Sequence, residues 1–481
     1  MDPITWTGNL GPILNPLMLA AAVVFALAFV TQLVLSFAGV QAGETVINPD
    51  RTLTVTRTPF DYALMALKYA VLLFLVCVLV YVFGGFVQPA LEDKGIIGAI
   101  GQRFWPVWLS LAILFALSIT FKRRLGLYGK LFDSPIGMIG FGIVMFWLFT
   151  AFFADVVATH GPIDVVSQMR NIVPGSWMPS PDEGEYPVYL LGGDSLGRDV
   201  FSRMVYGGRE VLKIAPFATL FAFMVGITLG LPAGYVGGRI DTILSFLANL
   251  VLAFPVILLF YLLVTPEIVA SGIPVYMAAV LFLFPIVFFV VLFNSRFHTQ
   301  GGKRNILVAA TIILGGWLYL SLLSDPGGFR LLPRGLDFVD MPGNILIVFV
   351  SVVFVNSPTV FRIVRGITLD VKTRDYVSAA QTRGEGPWYI MLWEILPNAR
   401  GPLIVDFCLR IGYTTILLGT LGFFGLGVSP ESPDWGSTIN EGRRLLTVYP
   451  HPPLPPALAL MSLVLGLNLL ADGLREESLK D

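Results

Sequence analysis

Long apolar stretches alternate with short polar loops along the whole of this 481-residue chain. Eleven such runs fall near 14–40, 62–86, 105–121, 136–157, 212–235, 243–264, 273–293, 305–323, 343–363, 402–427 and 453–473. Each approaches the roughly 20 residues that a helix needs to cross the hydrocarbon of a bilayer. Inside lipid every backbone N–H and C=O must find a partner within the protein, so continuous apolar runs predict helices. A β-barrel would alternate apolar and polar residues instead. The pattern predicts an all-α polytopic membrane protein.

The polar loops orient it. Lys122, Arg123, Arg124 and Lys130 crowd the loop before the fourth run, and such clusters stay on the cytoplasmic side. Alternating from there puts the N-terminus outside and the C-terminus inside. The loops then assigned inside carry Arg296, Lys303, Arg304, Arg362, Arg365, Lys372 and Arg374. Lys94, Arg103, Arg170, Arg198, Arg203, Arg209, Arg443 and Arg444 fall outside, several of them beside acids in the long loop 158–211. The first sixteen residues contain no Lys or Arg, so the first run reads as a retained helix rather than a secretory signal.

One inside loop stands apart. In Arg374-Asp-Tyr-Val-Ser-Ala-Ala-Gln-Thr-Arg-Gly384, Thr373 or Asp375 can open a short helix. Tyr376, Ala379 and Ala380 form its apolar face, and Gly384 ends it in a left-handed turn. Pro387 suits the first turn of a second helix, with Trp388, Leu392 and Ile395 on one face and Pro397 as its stop. Two short helices at a glycine bend make a rigid knuckle suited to docking another protein.

Composition and charge narrow the function. With 55% hydrophobic and 13% charged residues the chain is no ordinary soluble domain, and its net charge of −1 points to no nucleic-acid partner. Cys77 and Cys408 lie within apolar runs, and His160, His298 and His451 are scattered, so neither a disulfide framework nor a metal site is expected. Gly193-Asp-Ser-Leu-Gly-Arg-Asp-Val-Phe-Ser-Arg203, continuing to Tyr206-Gly-Gly-Arg209, resembles a phosphate loop only superficially. No Gly-Lys-Ser/Thr follows it, so no nucleotide site, cofactor or catalytic group is expected in this chain.

Several residues have plain structural readings. Gly234, Gly237 and Gly238 are expected to form a tight turn, and Phe254-Pro255 a helix kink. Asp199 and Arg203, a helical turn apart, are expected to pair with each other or with loop backbone rather than bind substrate. Asp406 and Arg410 lie inside a run, where charge is expensive. Their spacing of four allows mutual neutralisation, favoured here over a substrate site.

The knuckle resembles the coupling loop of ABC-importer permeases, in which an acidic-Ala-Ala start precedes a Gly and then Leu-Pro. Ala379, Ala380, Gly384, Leu396 and Pro397 match at that spacing, while Ser378 replaces the acid. The 193–203 segment is similar to the Gly-Arg-Asp stretch of the dipeptide, oligopeptide and nickel permeases, matching at Asp194, Gly197, Arg198, Asp199, Ser202 and Arg203. Further matches are Ala233-Gly-Tyr-Val-Gly-Gly238 with Asp241, Ala253-Phe-Pro255, Gly425-Leu-Gly427 with Pro433-Asp-Trp-Gly436, and Asn468-Leu-Leu-Ala-Asp-Gly-Leu-Arg475.

The resemblance implies a six-helix permease core. Residues 1–134 would add three membrane helices before it. The core would comprise 135–264, with the external loop 158–211, and 343–481, with the coupling loop 366–401. Residues 265–342 would be an inserted helical hairpin. It implies an inner-membrane permease for peptides or similar solutes, working with a homologous permease subunit, two cytoplasmic ABC ATPases and an extracytoplasmic solute-binding protein. Tyr376, Ala379, Ala380, Gly384, Leu396 and Pro397 would transmit ATPase movement.

Nickel, oligosaccharides or another non-peptide solute remain open as cargo. An ion-coupled secondary transporter would want intramembrane acids or broken helices in two related halves. Asp406 is the one clear acid, and no halves are visible. A membrane enzyme would want a clustered nucleophile and base, and none is apparent.

The charge pattern makes a direct prediction. A reporter fused after Gly302 should read cytoplasmic, and one inserted within 181–185 extracytoplasmic. Both sites reading on one side would contradict the eleven-span topology.

Overall fold

The computed structural model describes residues 2–40, 42–43, 45–47, 53–55, 57–324, 332–333, 342–426 and 432–478; Gly427 of the expected motifs lies outside them. Among the described residues ten helices are long and apolar enough to cross a membrane, or eleven if one bent pair counts as a single span. They fall on the eleven apolar runs. The all-α polytopic architecture is the one the pattern predicts.

The chain divides into two compact units. The first holds residues 1–106 and 166–199. Its α1 (Gly11–Phe37) and α2 (Pro59–Gly84) pack together, with the Tyr81 hydroxyl donating to Asn15 at 2.7 Å. Helix α3 (Leu91–Arg103) was not expected, because Glu92, Asp93 and Lys94 break the apolar pattern and Gly95 interrupts it at φ +66°. The first residues of the chain thread between α3 and the long loop. Ile96 N–H donates to Thr5 O at 3.0 Å, and Ile4 N–H donates to Gly175 O at 2.9 Å. The first residues of the chain and the 166–199 segment therefore pack against each other.

The second unit holds residues 107–165 and 200–481. It contains most of α4 (Trp105–Phe121), then α5 (Pro135–Phe152), α6 (Val200–Val236), α7 (Gly238–Leu252) and α8 (Val256–Val264). There follow α9 (Ile273–Leu281), α10 (Leu283–Arg296), α11 (Gly301–Leu323) and α12 (Gly343–Val371). The short α13 (Asp375–Thr382) and α14 (387–398) lead into α15 (Arg400–Phe423), α16 (Trp435–Arg443) and α17 (Leu454–Ser478).

Its core is organised by two seams of small residues. On α6, Gly226, Gly230 and Gly234 recur every four residues and face α12. A Cβ on Gly226 would stand 2.5 Å from the Val360 side chain, one on Gly230 2.9 Å from Val364, and one on Gly234 2.6 Å from Thr368. With little hydrophobic drive between helices in lipid, backbones that approach this closely gain dispersion contact instead. Gly234 is thus a packing residue, correcting the expectation that it belongs to the turn. The turn is made by Gly237 and Gly238, at φ +71° and +62°. A second seam joins α5 to α17, where Gly137 and Gly140 meet Gly473 and the Leu470 backbone. The Trp147 indole closes it, donating to Ser462 at 2.8 Å.

Phe254-Pro255 does more than kink a helix. The axes of α7 and α8 differ by 82°, so the sixth apolar run is two helices joined at a sharp bend rather than one straight span.

If the α6–α12 seam carries the fold, Gly226→Leu should overpack it and cost about 1–3 kcal/mol. The purified protein should unfold at a clearly lower temperature. Gly366→Ala on the open face of α12, where an added Cβ meets nothing within 4 Å, should leave the midpoint unchanged or raise it slightly.

Candidate functional site

The site grows out of the end of α12. Helix α13 opens without the expected side-chain cap. Its N-cap is Arg374 in extended backbone, and the Thr373 hydroxyl is spent on Asp370 O. Its buried face is Val377 and Ala380, both fully buried, with Tyr376 half-buried beside them. Burial raises the pKa of the Tyr376 hydroxyl. Ala379, expected on that face, is exposed. Sequence inspection missed Val377, whose i+3 spacing to Ala380 was the available signal.

Gly384 ends α13 as expected. It sits at φ +76°, its N–H donates to Gln381 O at 2.9 Å, and Glu385 N–H donates to Ala380 O at 3.2 Å. This pair of bonds is the Schellman closure, which satisfies carbonyls that a helix end would leave bare.

Helix α14 begins at Pro387 and widens to π-helical geometry over Ile390–Ile395. Ile390, Met391, Leu392 and Ile395 are buried, whereas Trp388, expected on the same face, is 37% exposed. Pro397 does not stop the helix. It lies in the first turn of Leu396–Asn398, where no N–H is needed, and the chain runs on into α15. Leu396 is half-buried and Pro397 exposed.

Polar contacts latch this knuckle to the end of α6. Gln381 donates to the Tyr235 hydroxyl at 3.0 Å, and Lys372 donates to Gly234 O at 2.9 Å. Two turns back along α12, the Arg365 guanidinium grips both carboxylate oxygens of Asp241 at the start of α7, with Nη2 to Oδ2 at 2.7 Å. Within the knuckle Arg383 pairs with Glu394 at 2.8 Å. The result is a rigid two-helix bracket with Ser378, Ala379, Thr382, Arg383 and Gly386–Trp388 exposed. It can offer a shaped surface but holds no group arranged for bond chemistry.

The 193–203 motif divides between the two units. In the first, Gly197 at φ +88° turns the loop, and Asp194 accepts from Leu196 N–H, Arg198 N–H and Arg198 Nε at 2.7–2.9 Å. Asp194, Arg198 and Asp199 are buried. In the same unit the Arg103 guanidinium lies over the Tyr186 ring at 5.5 Å, and burial pushes the Tyr186 phenol up to about 12.

In the second unit, Ser202 accepts from Thr159 N–H and His160 N–H at 3.1 and 2.9 Å. Arg203 is fully buried and donates to Pro162 O, Ser432 O and Thr438 Oγ1 at 3.0–3.3 Å. These loop-backbone bonds match the structural reading of Arg203. Gly207 and Gly208 open a slot for Trp435, which donates to Met204 O at 2.8 Å and meets Trp147 edge-on at 5.1 Å. The motif thus anchors the start of α6 to α16. Arg209, on the first part of α6, donates to Asp155 just beyond the end of α5 at 2.7 Å.

Asp406 and Arg410 form the expected neutralised pair, Nε to Oδ2 at 2.7 Å, with Thr359 accepting from Arg410 at 2.6 Å. Further along, Thr219, Thr414 and Asn356 continue a polar line between α6, α15 and α12. Among the described residues no cluster of His, Cys, Asp or Glu could hold a metal ion.

Residues 226–476, more than half of the chain, match the family described as binding-protein-dependent transport system inner membrane component. A relative from Pectobacterium atrosepticum, named glutathione transport system permease protein GsiD, is 31% identical over 61% of this chain and 73% of its own length. The dipeptide transport system permease protein DppC of Haemophilus influenzae is 28% identical over 69% of this chain and 87% of its own. The di/tripeptide transport system permease protein DppC of Pseudomonas aeruginosa is 28% identical over 75% and 93%. This membrane-spanning chain belongs to the family of inner membrane components of binding-protein-dependent transport systems.

Proposed function

We propose that this chain is a pore-forming permease subunit of an ATP-driven importer for peptides, with the 374–398 knuckle as the surface that receives its ATPases. The glutathione, dipeptide and di/tripeptide names of its relatives support the cargo class. The observation that carries the ATPase contact is the knuckle itself: a capped, latched bracket continuous with α12 and α15, exposing Ala379, Thr382 and Gly386–Trp388. A push on it reaches both helices without first being absorbed in a loose loop.

The permease core would consist of α5, α6, the bent α7–α8 pair, α12, α15 and α17, with 1–134 and 265–342 as additions. Its N-terminus lies outside and its C-terminus inside. The pairing of Ile4 with Gly175 supports this, because both fall in segments whose charge pattern assigns them outside. A homologous permease subunit, two cytoplasmic ATPases and an extracytoplasmic solute-binding protein complete the transporter. This chain contributes no catalysis. ATP closes the partner subunits, the knuckle moves, and the helices rock between inward-open and outward-open states, with Tyr376, Ala379, Ala380, Gly384, Leu396 and Pro397 carrying the motion. Asp406 and Arg410 neutralise one another inside the bundle.

The exposed Ala379 and the buried Ala380 make opposite predictions. Ala379→Glu should leave the chain folded in the membrane while weakening ATPase co-purification about five- to thirtyfold, as expected for loss of a central contact of roughly 1–2 kcal/mol. Ala380→Glu should instead destabilise the knuckle, because it buries an unpaired charge. Full ATPase retention by the Ala379→Glu protein would contradict the docking reading.

Gly384→Val forces a β-branched residue to φ +76°, a backbone strain of about 1–3 kcal/mol. It should abolish dipeptide uptake by the reconstituted complex while the protein still reaches the membrane. Unimpaired uptake would mean that the glycine turn does not orient the contact.

A further inference from the structure

The segment 265–342 was expected as an addition of unknown purpose. Its described helices α9, α10 and α11 do not merely line the bundle. The last turn of α10 and the residues just after it grip α14 at three points. The Trp393 indole N–H donates to Ser295 Oγ at 3.2 Å, and Ser295 is itself buried. The Arg296 guanidinium covers the same indole ring, 4.5 Å from its centroid. The His298 ring meets Tyr389 edge-on at 5.9 Å. Higher on α10, Phe288, Val291 and Leu292 pack against the cluster containing Ile390 and Ile395.

Two features of this contact bear on movement. Trp393 lies within the π-helical stretch Ile390–Ile395, and such wide turns are frequent at functional sites. In addition, an apolar cleft of about 370 Å³ lies between Phe288 of α10, Leu396 at the end of α14, Leu403 and Phe407 of α15, and part of α6. Side chains around it are not packed across from Phe288 to Phe407, whereas α14 and α15 stay joined through the helical backbone and through Ile390, Ile395 and Leu403.

We propose that α10 is a second arm of the coupling bracket. The inserted hairpin and α14 move together, and Ser295, Arg296 and Trp393 are positioning residues that restrain idle ATP hydrolysis until the rest of the bundle responds. The first helix of the bracket is held by α6, through Gln381 and Tyr235. The second is held by α10, so the bracket is clamped at both ends by different helices. This inference rests on the reading of the 374–398 knuckle as the ATPase contact.

The test uses the full complex, chain plus ATPases plus solute-binding protein, in proteoliposomes, with ATP as the only added ligand. Two quantities are read: the ATPase retained per chain, and solute-free hydrolysis per retained ATPase. The double variant Ser295→Ala/Arg296→Ala should retain the ATPase and raise solute-free hydrolysis about two- to fivefold, the factor expected from losing an exposed cation–π contact. Arg296→Lys, which keeps a cation over the ring, should restore the parent value. Trp393→Phe, which keeps a ring but removes the donor, should give a smaller rise.

Unchanged hydrolysis per retained ATPase in the double variant would overturn the proposal. A fall in hydrolysis merely in proportion to lost ATPase would overturn it too, since α10 would then only prop the loop. Ala379→Glu in the same preparation separates the two readings. If it loses the ATPase while the double variant behaves like the parent, only the hairpin proposal falls. If it also retains the ATPase, the docking reading falls as well.

Discussion

Three glycines on one face of α6 set the distance on which the second unit depends. Gly226, Gly230 and Gly234 let α12 approach until Val360, Val364 and Thr368 occupy the space where side chains would otherwise stand. In lipid no solvent drives two apolar helices together, so a seam of this kind replaces the hydrophobic effect with closeness of fit. Its last glycine is also the one whose carbonyl accepts from Lys372, and its neighbour Tyr235 accepts from Gln381. The seam that fixes α12 therefore fixes the knuckle that continues from it.

Under the proposed function, that continuity turns a packing device into a mechanical one. Between α12 and α15 the backbone is helical except at 372–374, 383–386 and 399, and the turn at Gly384 is closed by two hydrogen bonds. A displacement of the exposed bracket has few soft joints in which to dissipate. At the other end of α6, Arg203 and the slot made by Gly207 and Gly208 tie the helix to Trp435 and Thr438. The same helix is thus clamped near both faces of the bilayer. The charge pair Asp406–Arg410 and the line Thr219, Thr414, Asn356 lie between these clamps, and their mutual bonds let polar groups reside in the bundle without free charge.

The sequence made some of this legible because the signals were local. Apolar runs located the spans, and the Gly384 turn could be read from helix-ending chemistry alone. The neutralised pair followed from a spacing of four. Other features required knowing what lies across the bundle. Gly234 read as a turn residue because Gly237 and Gly238 follow it, and only the contact with Thr368 shows its packing role. Ala379 and Ala380 read as one face, yet a single step around a short helix separates exposed from buried. Trp435 and Gly207 are far apart in the chain, so neither residue announces the other. The grip of Ser295 and Arg296 on Trp393 was hidden for the same reason.

The central claim is that the exposed side of the 374–398 bracket touches an ATPase. Cysteine cross-linking in native membranes tests it most directly, on a background in which Cys77 and Cys408 are replaced by serine. Ala379→Cys and Thr382→Cys should each form an adduct with the ATPase subunit, whereas Ala380→Cys, buried inside the bracket, should form none. Adducts at none of the exposed positions, together with an ATPase adduct from a cysteine placed at Gly302 or Lys130, would locate the contact elsewhere and contradict the account.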